Sequence, residues 1–250
     1  MDIKKANHII REVLNGNKVV SYYEFENAIK LFGSYNTRIV PDAKFIITDD
    51  LPVNVLGRCR SIKWIKIKKD VVSNIYHGDK MAMITIFHEL KHFRDNYNIL
   101  NDIYDDETIR ILKERLINWA NNEFEREILD KDVSFNCYYK ANYDVESSEV
   151  LAEKYAYLDM LKYFEFIGVE LSDNELDNIN NKIHMLDKKY NKKLRNLTNC
   201  LMYNSFYLTV DEVFDVAISD NPLWLEEFPC LKKEYYVDSK SRVRRISASR

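Results

Sequence analysis

The sequence has few residues that form turns, with only 5 glycines and 4 prolines in 250 positions. An all-β sandwich needs a turn about every eight to twelve residues, and this composition does not provide them. Apolar residues make up 46% of the chain and aromatic residues 13%, which favours a packed core over disorder. We therefore predict an α+β protein that is mainly helical and has a small β-sheet.

Cysteine is scarce as well. The four cysteines, Cys59, Cys137, Cys200 and Cys230, stand far apart and form no CxxC pair. A disulfide scaffold or a thiolate zinc site needs closely spaced cysteines, so the sequence argues against both. We expect the protein to work in a reducing cytoplasm.

Long hydrophobic runs and excess positive charge are also missing. No run of about 18 apolar residues occurs, and the first residues do not have the pattern of a signal peptide. The formal net charge is -3, so the surface as a whole does not attract nucleic acid. The sequence therefore predicts a soluble protein without a membrane or nucleic-acid partner.

Residues 1–40 are predicted to form two N-terminal helices. Ser21 and Glu24 have the spacing of a capping box, and the apolar residues that follow predict a helix ending at Gly33. Two short helices are also found in DNA-binding helix-turn-helix proteins. The mild charge of this stretch favours ordinary packing instead.

Two strands are predicted next, at 44–50 and 61–70, joined by a turn with the sequence DLPVNVLGR. The alternation in the second strand slips near Trp64, which a β-bulge would explain. Without a bulge, Ile65 and Ile67 face the core and the neighbouring lysines face water. We interpret this lysine run as solvated surface rather than as a binding patch.

Helices are predicted for most of the remaining chain. Asp79 is placed to cap a long apolar helix that begins near residue 80, and two further helices are expected at about 106–129 and 148–166. A second capping box at 172–175 begins a helix whose apolar residues recur at three- and four-residue steps up to Leu201. We call this row of apolar residues the seam. The seam packs against other helices of the same chain or, alternatively, joins two copies of the protein through helix 176–201.

These elements predict four regions along the chain: N-terminal helices at 1–40, a central α+β domain at 41–166, a helical extension at 167–236, and a frayed basic tail at 237–250. Within the extension, the sequence TVDE at 209–212 begins a further short helix.

The segment TIFHELKHFRD carries the chemistry. On a helix, His88 and His92 lie on the same face, so both imidazoles can bind one zinc ion, and Glu89 then lies beside the water that the ion activates. A catalytic zinc ion needs a third protein ligand and an open position. No third histidine follows at the metzincin spacing, so we expect a carboxylate from the region of the helix predicted at about 148–166, where the candidates are Glu146, Glu149 and Glu153.

The stretch from Glu149 to Ala156, EVLAEKYA, resembles the Glu-x-x-Ala-acid-x-aromatic-Ala segment of small gluzincin metallopeptidases of the ImmA/IrrE kind, which are common in bacterial mobile elements and phages. The segments LPVNVLG, IKIKKDVV and ITIFHELKH also resemble that family in order and content. The resemblance covers roughly residues 40–165 and implies a zincin-like fold. It also implies that His88, His92 and Glu149 bind zinc and that Glu89 is the general base.

The sequence departs from the family at Lys91, where a glycine is usual, and 57 positions separate His92 from Glu149 (149 minus 92). Glu153, one turn beyond Glu149, is expected to accept a hydrogen bond from a ligand histidine. One of the nearby tyrosines is expected to donate a hydrogen bond to the oxyanion. The candidate tyrosines are Tyr138, Tyr139 and Tyr143.

The predicted function is a zinc-dependent endopeptidase that cleaves one intracellular protein, a repressor by the resemblance, with the C-terminal helices as an exosite or lid. One alternative is a helical scaffold protein whose zinc ion is structural, with Cys137 as a further ligand through the fold. Another alternative is a metalloprotease toxin or effector, which uses the same chemistry on a host protein.

Overall fold

The computed structural model describes residues 1–17, 20–101, 147–200 and 210–246, together with residues 103, 109, 112, 113 and 116. In this part of the chain the protein is α+β, mainly helical, with a three-stranded sheet and a two-stranded hairpin. The predicted class is therefore confirmed. None of the helices among these residues is both long and apolar enough to cross a membrane.

The described α-helices are α1 Ile3–Leu14, α2 Tyr22–Thr37, α3 Lys69–Tyr76, α4 Met83–Leu100, α5 Ser147–Ile167, α6 Asp173–Cys200, α7 Val210–Asp220 and α8 Trp224–Glu227. The strands are β1 Lys44–Thr48, β2 Gly57–Arg60, β3 Trp64–Lys68, β4 Tyr235–Val237 and β5 Val243–Arg245. Short 3-10 helices cover Lys80–Ala82 and Pro229–Lys233. The predicted helices at 148–166 and from 172 onward are confirmed, as is the helix that TVDE begins.

The chain forms two compact units. The first consists of residues 1–97 and 151–186, and the second consists of residues 98–150 and 187–250. Helices α1–α4, the three-stranded sheet and most of α5 lie in the first unit. The chain therefore leaves this unit in the last turn of α4 and returns to it within α5.

The three-stranded sheet has the order β1-β3-β2, with β1 parallel and β2 antiparallel to β3. Ile65 and Ile67 are fully buried beside Phe45 and Ile47. The register of β3 continues without a bulge, so of the two predicted forms of this strand the one without a bulge is observed. Strand β2 was not predicted, because its short sequence GRCR overlaps the end of the proposed turn and has little apolar pattern.

Helix α2 continues through Gly33 to Thr37, so the prediction that it ends at Gly33 is wrong. The Ser21–Glu24 capping box at its other end is confirmed. A Cβ atom at position 33 would overlap the ring of Phe45 on β1. Glycine therefore allows the helix to pack closely on the strand. This packing outweighs the cost of roughly 1 kcal/mol that glycine has relative to alanine inside a helix.

Helix α3 separates β3 from the helix that carries the histidines, where the sequence predicted a strand up to residue 70. Val71, Val72 and Ile75 are buried at helical spacing, which favours the helix over a longer strand. The predicted cap at Asp79 is confirmed, since its Oδ1 accepts hydrogen bonds from the backbone N–H groups of Met81 and Ala82 at 3.0 and 3.2 Å.

In the second unit, Lys113 is 2% exposed and donates hydrogen bonds of 2.6 Å to Asp211 and to Glu234. Burial raises the pKa of Asp211, but the hydrogen bond and charge of Lys113, with the charge of Arg245, outweigh burial and hold this pKa below its usual value. The ion pairs thus join three segments of this unit. Most of the predicted 106–129 helix lies outside the described residues.

Residues 237–250, which the sequence assigns to a frayed tail, contribute instead to the β4–β5 hairpin up to Arg245. Val243 is buried, and Asp238 accepts hydrogen bonds from Lys240 and Arg242 in the turn. These backbone hydrogen bonds, offset only in part by burial, lower the pKa of Asp238 to about 2.

The seam on α6 packs partly inside the chain. The capping box is confirmed, with the Ser172 backbone N–H 2.8 Å from Glu175. Ile179 and Leu186 are buried, whereas Leu176 is exposed. The seam side chains beyond these lie outside the described part of the chain, so association through 176–201 stays a prediction.

Candidate metal centre

Helix α4 presents the imidazoles of His88 and His92 to one point. Their Nε2 atoms lie 3.0 Å apart, and the ring centres are 4.6 Å apart at an angle of 81°. Both residues are half-buried. Two nitrogen ligands of a tetrahedral zinc ion lie about 3.3 Å apart, as follows from a Zn–N distance of about 2.05 Å. The pair therefore fits a zinc ion with little movement.

Glu149, in the first turn of α5, approaches the same point. Its carboxylate and the two imidazoles each offer a ligand atom, and these three atoms lie within 4.8 Å of one another. The structure thus brings together the three residues that were predicted as ligands. Glu149 is exposed, so its carboxylate is accessible to a cation from solvent.

Three contacts within the first unit hold α5 against α4, and together they fix the helix that carries Glu149. One is a cation–π contact, one is an ion pair, and one is a contact between two aromatic rings. They are Lys91 with Tyr155 at 4.8 Å, Arg94 with Asp159 at 3.1 Å, and Phe87 with Tyr163 at 5.6 Å between ring centres.

Lys91 and Asp95 form a buried ion pair on α4, one turn apart. Their Nζ and Oδ1 atoms are 2.7 Å apart, and the side chains are only 5% and 6% exposed. Lys91 stands where the resembled family usually has glycine, and its ammonium group also lies over the Tyr155 ring. A buried charged pair therefore lies at the contact between α4 and α5.

Glu89 follows His88 about 100° further around the helix and is 7% exposed. Its side chain lies against the start of β2. A Cβ atom added to Gly57 would be 2.8 Å from Cγ and 2.9 Å from Oε1 of Glu89, and 3.0 Å from Cγ2 of Thr85. Only glycine at position 57 leaves the Glu89 carboxylate where it is.

The other predicted site residues either lack a contact with the histidines or lie outside the described part of the chain. In the described part of the chain, no hydrogen bond joins Glu153 to either histidine. Burial, and to a smaller extent the charge of Glu153, raise the pKa of Tyr157 one turn further along. The roles proposed for Glu153 and for the tyrosines stay predictions. Residues outside the described part include Cys137, Tyr138, Tyr139, Tyr143 and Glu146.

Two features of this centre were not predicted. The contact between Gly57 and Glu89 joins positions that are far apart in sequence, and a single glycine in a turn gave no sign of it. The Lys91–Asp95 pair has the i, i+4 spacing of a helical ion pair, which is a visible signal. Its burial is not visible in the sequence, because most such pairs are exposed.

Comparison of the chain with protein-family models, curated proteins and solved structures gives no match. The resemblance to the ImmA/IrrE kind of metallopeptidase therefore stays a prediction from the sequence motifs.

Proposed function

We propose that the protein is a zinc-dependent metalloendopeptidase with a zincin-like fold. The observation that carries the proposal is the convergence of the His88 and His92 nitrogens with a Glu149 oxygen, with the buried Glu89 directly after His88 in the sequence. Two imidazoles and one carboxylate are the ligand set of catalytic zinc sites in gluzincins. The exposure of Glu149 leaves room for water and substrate.

Each residue has a distinct task in the proposed hydrolysis. When bound, zinc polarises the scissile carbonyl and makes water more acidic. His88 and His92 would hold the ion through their Nε2 atoms, which helix α4 keeps 3.0 Å apart. Glu89 takes a proton from the attacking water as the water oxygen bonds to the carbonyl carbon. Glu89 then gives that proton to the departing amine nitrogen as the C–N bond breaks.

The geometry favours this function over a structural zinc site. Structural zinc ions normally have four protein ligands. Among the described residues, the group around the histidines offers three, and the third is exposed.

The resemblance favours an ImmA/IrrE-like regulator, of phage type, that cleaves a repressor in the cytoplasm. A toxin or effector would use the same residues on a host protein, and identification of the substrate separates the two.

Metal analysis tests the ligand set. We expect the purified protein to hold one zinc ion per chain and His88→Ala to lose it, because two remaining ligands bind zinc weakly. His184→Ala is the matched control, since His184 is exposed on α6 and should leave the zinc content unchanged. Equal zinc in His88→Ala and the parent would contradict the assignment.

The contact at Gly57 gives a second test. Gly57→Ala introduces a methyl group into the space of the Glu89 side chain, so we expect that carboxylate to move. A displacement of about 1 Å lowers the rate of a positioned reaction by about 100-fold. Zinc content should stay at the parent level, because the three atoms nearest to the new methyl group belong to Glu89 and Thr85 and not to a ligand residue. Unchanged cleavage of a peptide library would show that Gly57 does not position Glu89.

A further inference from the structure

The outer face of the three-stranded sheet is strongly basic, although the whole chain carries -3. Residues 57–69 contain six lysines and arginines and no acidic residue. The strand register places side chains from all three strands on one face around Trp64, since residues in register point the same way. We call this the basic sheet face; its cations are Lys44, Arg58, Arg60, Lys66 and Lys68.

Two rows of the register build the basic sheet face. Ile46, Lys66 and Arg58 are neighbours across the strands in one row. Lys44, Trp64 and Arg60 form the next row. Three separate segments of the sequence therefore meet in one cationic surface with a half-exposed aromatic ring.

The protein neutralises this surface only in part. Lys66 and Lys68 have acidic neighbours, Asp50 at 3.4 Å and Asp70 at 3.8 Å, and both aspartates are exposed. Such surface pairs contribute little free energy and exchange readily. For the other three cations, Lys44, Arg58 and Arg60, no ion pair occurs among the described residues.

The basic sheet face and the proposed catalytic carboxylate lie on opposite sides of strand β2. A Cβ atom added to Gly57 would be 2.8 Å from Glu89, whereas Arg58, the next residue, points to the other face of the same strand, which ends the sheet order β1-β3-β2. We infer that the basic sheet face binds an acidic segment of the polypeptide substrate, on the opposite side of β2 from the bond that is cleaved. This inference rests on the proposed function for the statement that the bound polypeptide is a substrate.

An acidic polypeptide fits this surface better than a nucleic acid does. Guanidinium groups bind carboxylates in bidentate fashion, and arginines occupy the strand beside Glu89. Binding of single-stranded nucleic acid uses several stacked aromatic rings, whereas Trp64 is the one aromatic residue in the two rows. The negative charge of the whole chain also opposes a long polyanion.

Binding of labelled octaglutamate, followed by fluorescence anisotropy, tests the inference without any cleavage. We expect Arg58→Glu/Arg60→Glu to weaken binding by about tenfold or more. We also expect higher salt to weaken binding to the parent protein. The matched control is Lys4→Glu/Lys5→Glu, which changes the net charge equally at exposed positions on α1 and should weaken binding less than about twofold.

Two results would overturn the inference: equal octaglutamate binding by both double variants, or tighter binding of octathymidylate that depends on Arg58 and Arg60. Cleavage of a peptide library by the parent protein is measured separately. Cleavage without octaglutamate binding removes this inference and leaves the proposed function. Octaglutamate binding without any cleavage removes the proposed function and leaves the basic sheet face as a binding surface.

Discussion

Glu89→Gln is expected to abolish most peptide cleavage while zinc stays bound. The substitution keeps the size of the side chain and removes its ability to accept a proton from water. General-base catalysis contributes about 100- to 10,000-fold, which corresponds to about 3–5 kcal/mol of activation free energy. The rate of library cleavage, measured by mass spectrometry beside metal analysis, should therefore fall by that factor at unchanged zinc content.

The control for this variant is Glu165→Gln, an exposed position on α5 that removes the same charge. It should cleave like the parent protein. The structural-zinc alternative gives a different pattern, because there removal of zinc lowers the thermal midpoint while Glu89→Gln changes nothing. Cleavage by Glu89→Gln at the parental rate would rule out the proposed mechanism.

Asp95→Asn is expected to destabilise the protein by about 3–5 kcal/mol in the free energy of unfolding. The reason is that the Lys91 ammonium stays buried beside the α4–α5 contact and loses the carboxylate that balances its charge. Urea unfolding at a fixed zinc concentration measures the change. A loss below about 1 kcal/mol would mean that water or another group already compensates Lys91.

Two further variants distinguish the effect of burying the charges from the effect of breaking the ion pair. Lys91→Met/Asp95→Leu removes both charges and should recover most of the lost stability, because replacement of a buried pair by apolar residues is often neutral. Glu26→Gln breaks another i, i+4 pair on a helix, with Lys30, whose side chain is 41% exposed. We expect that change to cost less than about 1 kcal/mol.

Much of the helical architecture could be predicted from local patterns. Capping boxes at Ser21 and Ser172 and the cap at Asp79 act within one turn, so the residues that specify them are adjacent in sequence. The errors arose where tertiary contact overrides local preference. Gly33 lies within α2 because of a ring on β1, and β2 forms because β3 lies beside it.

Some features of the candidate site could likewise be predicted from local patterns, and others could not. The spacing of His88 and His92 is a helical property, and their convergence could be predicted. Glu149 required a family resemblance, because the 57 intervening positions give no local signal. The basic sheet face was interpreted as a solvated lysine run, since Arg58 and Lys44 join it only through strand register. Contacts that depend on register and burial are not encoded in short motifs.

The return of the chain to its first unit within α5 has a consequence during translation. A ribosome adds about 5–20 residues per second, so Glu149 is synthesised about 3–11 s after His92. The nascent chain thus exposes two imidazoles, without their proposed carboxylate partner, for that whole interval. Full-affinity metal loading, and with it any proteolytic activity, would therefore begin only after most of the polypeptide has left the ribosome.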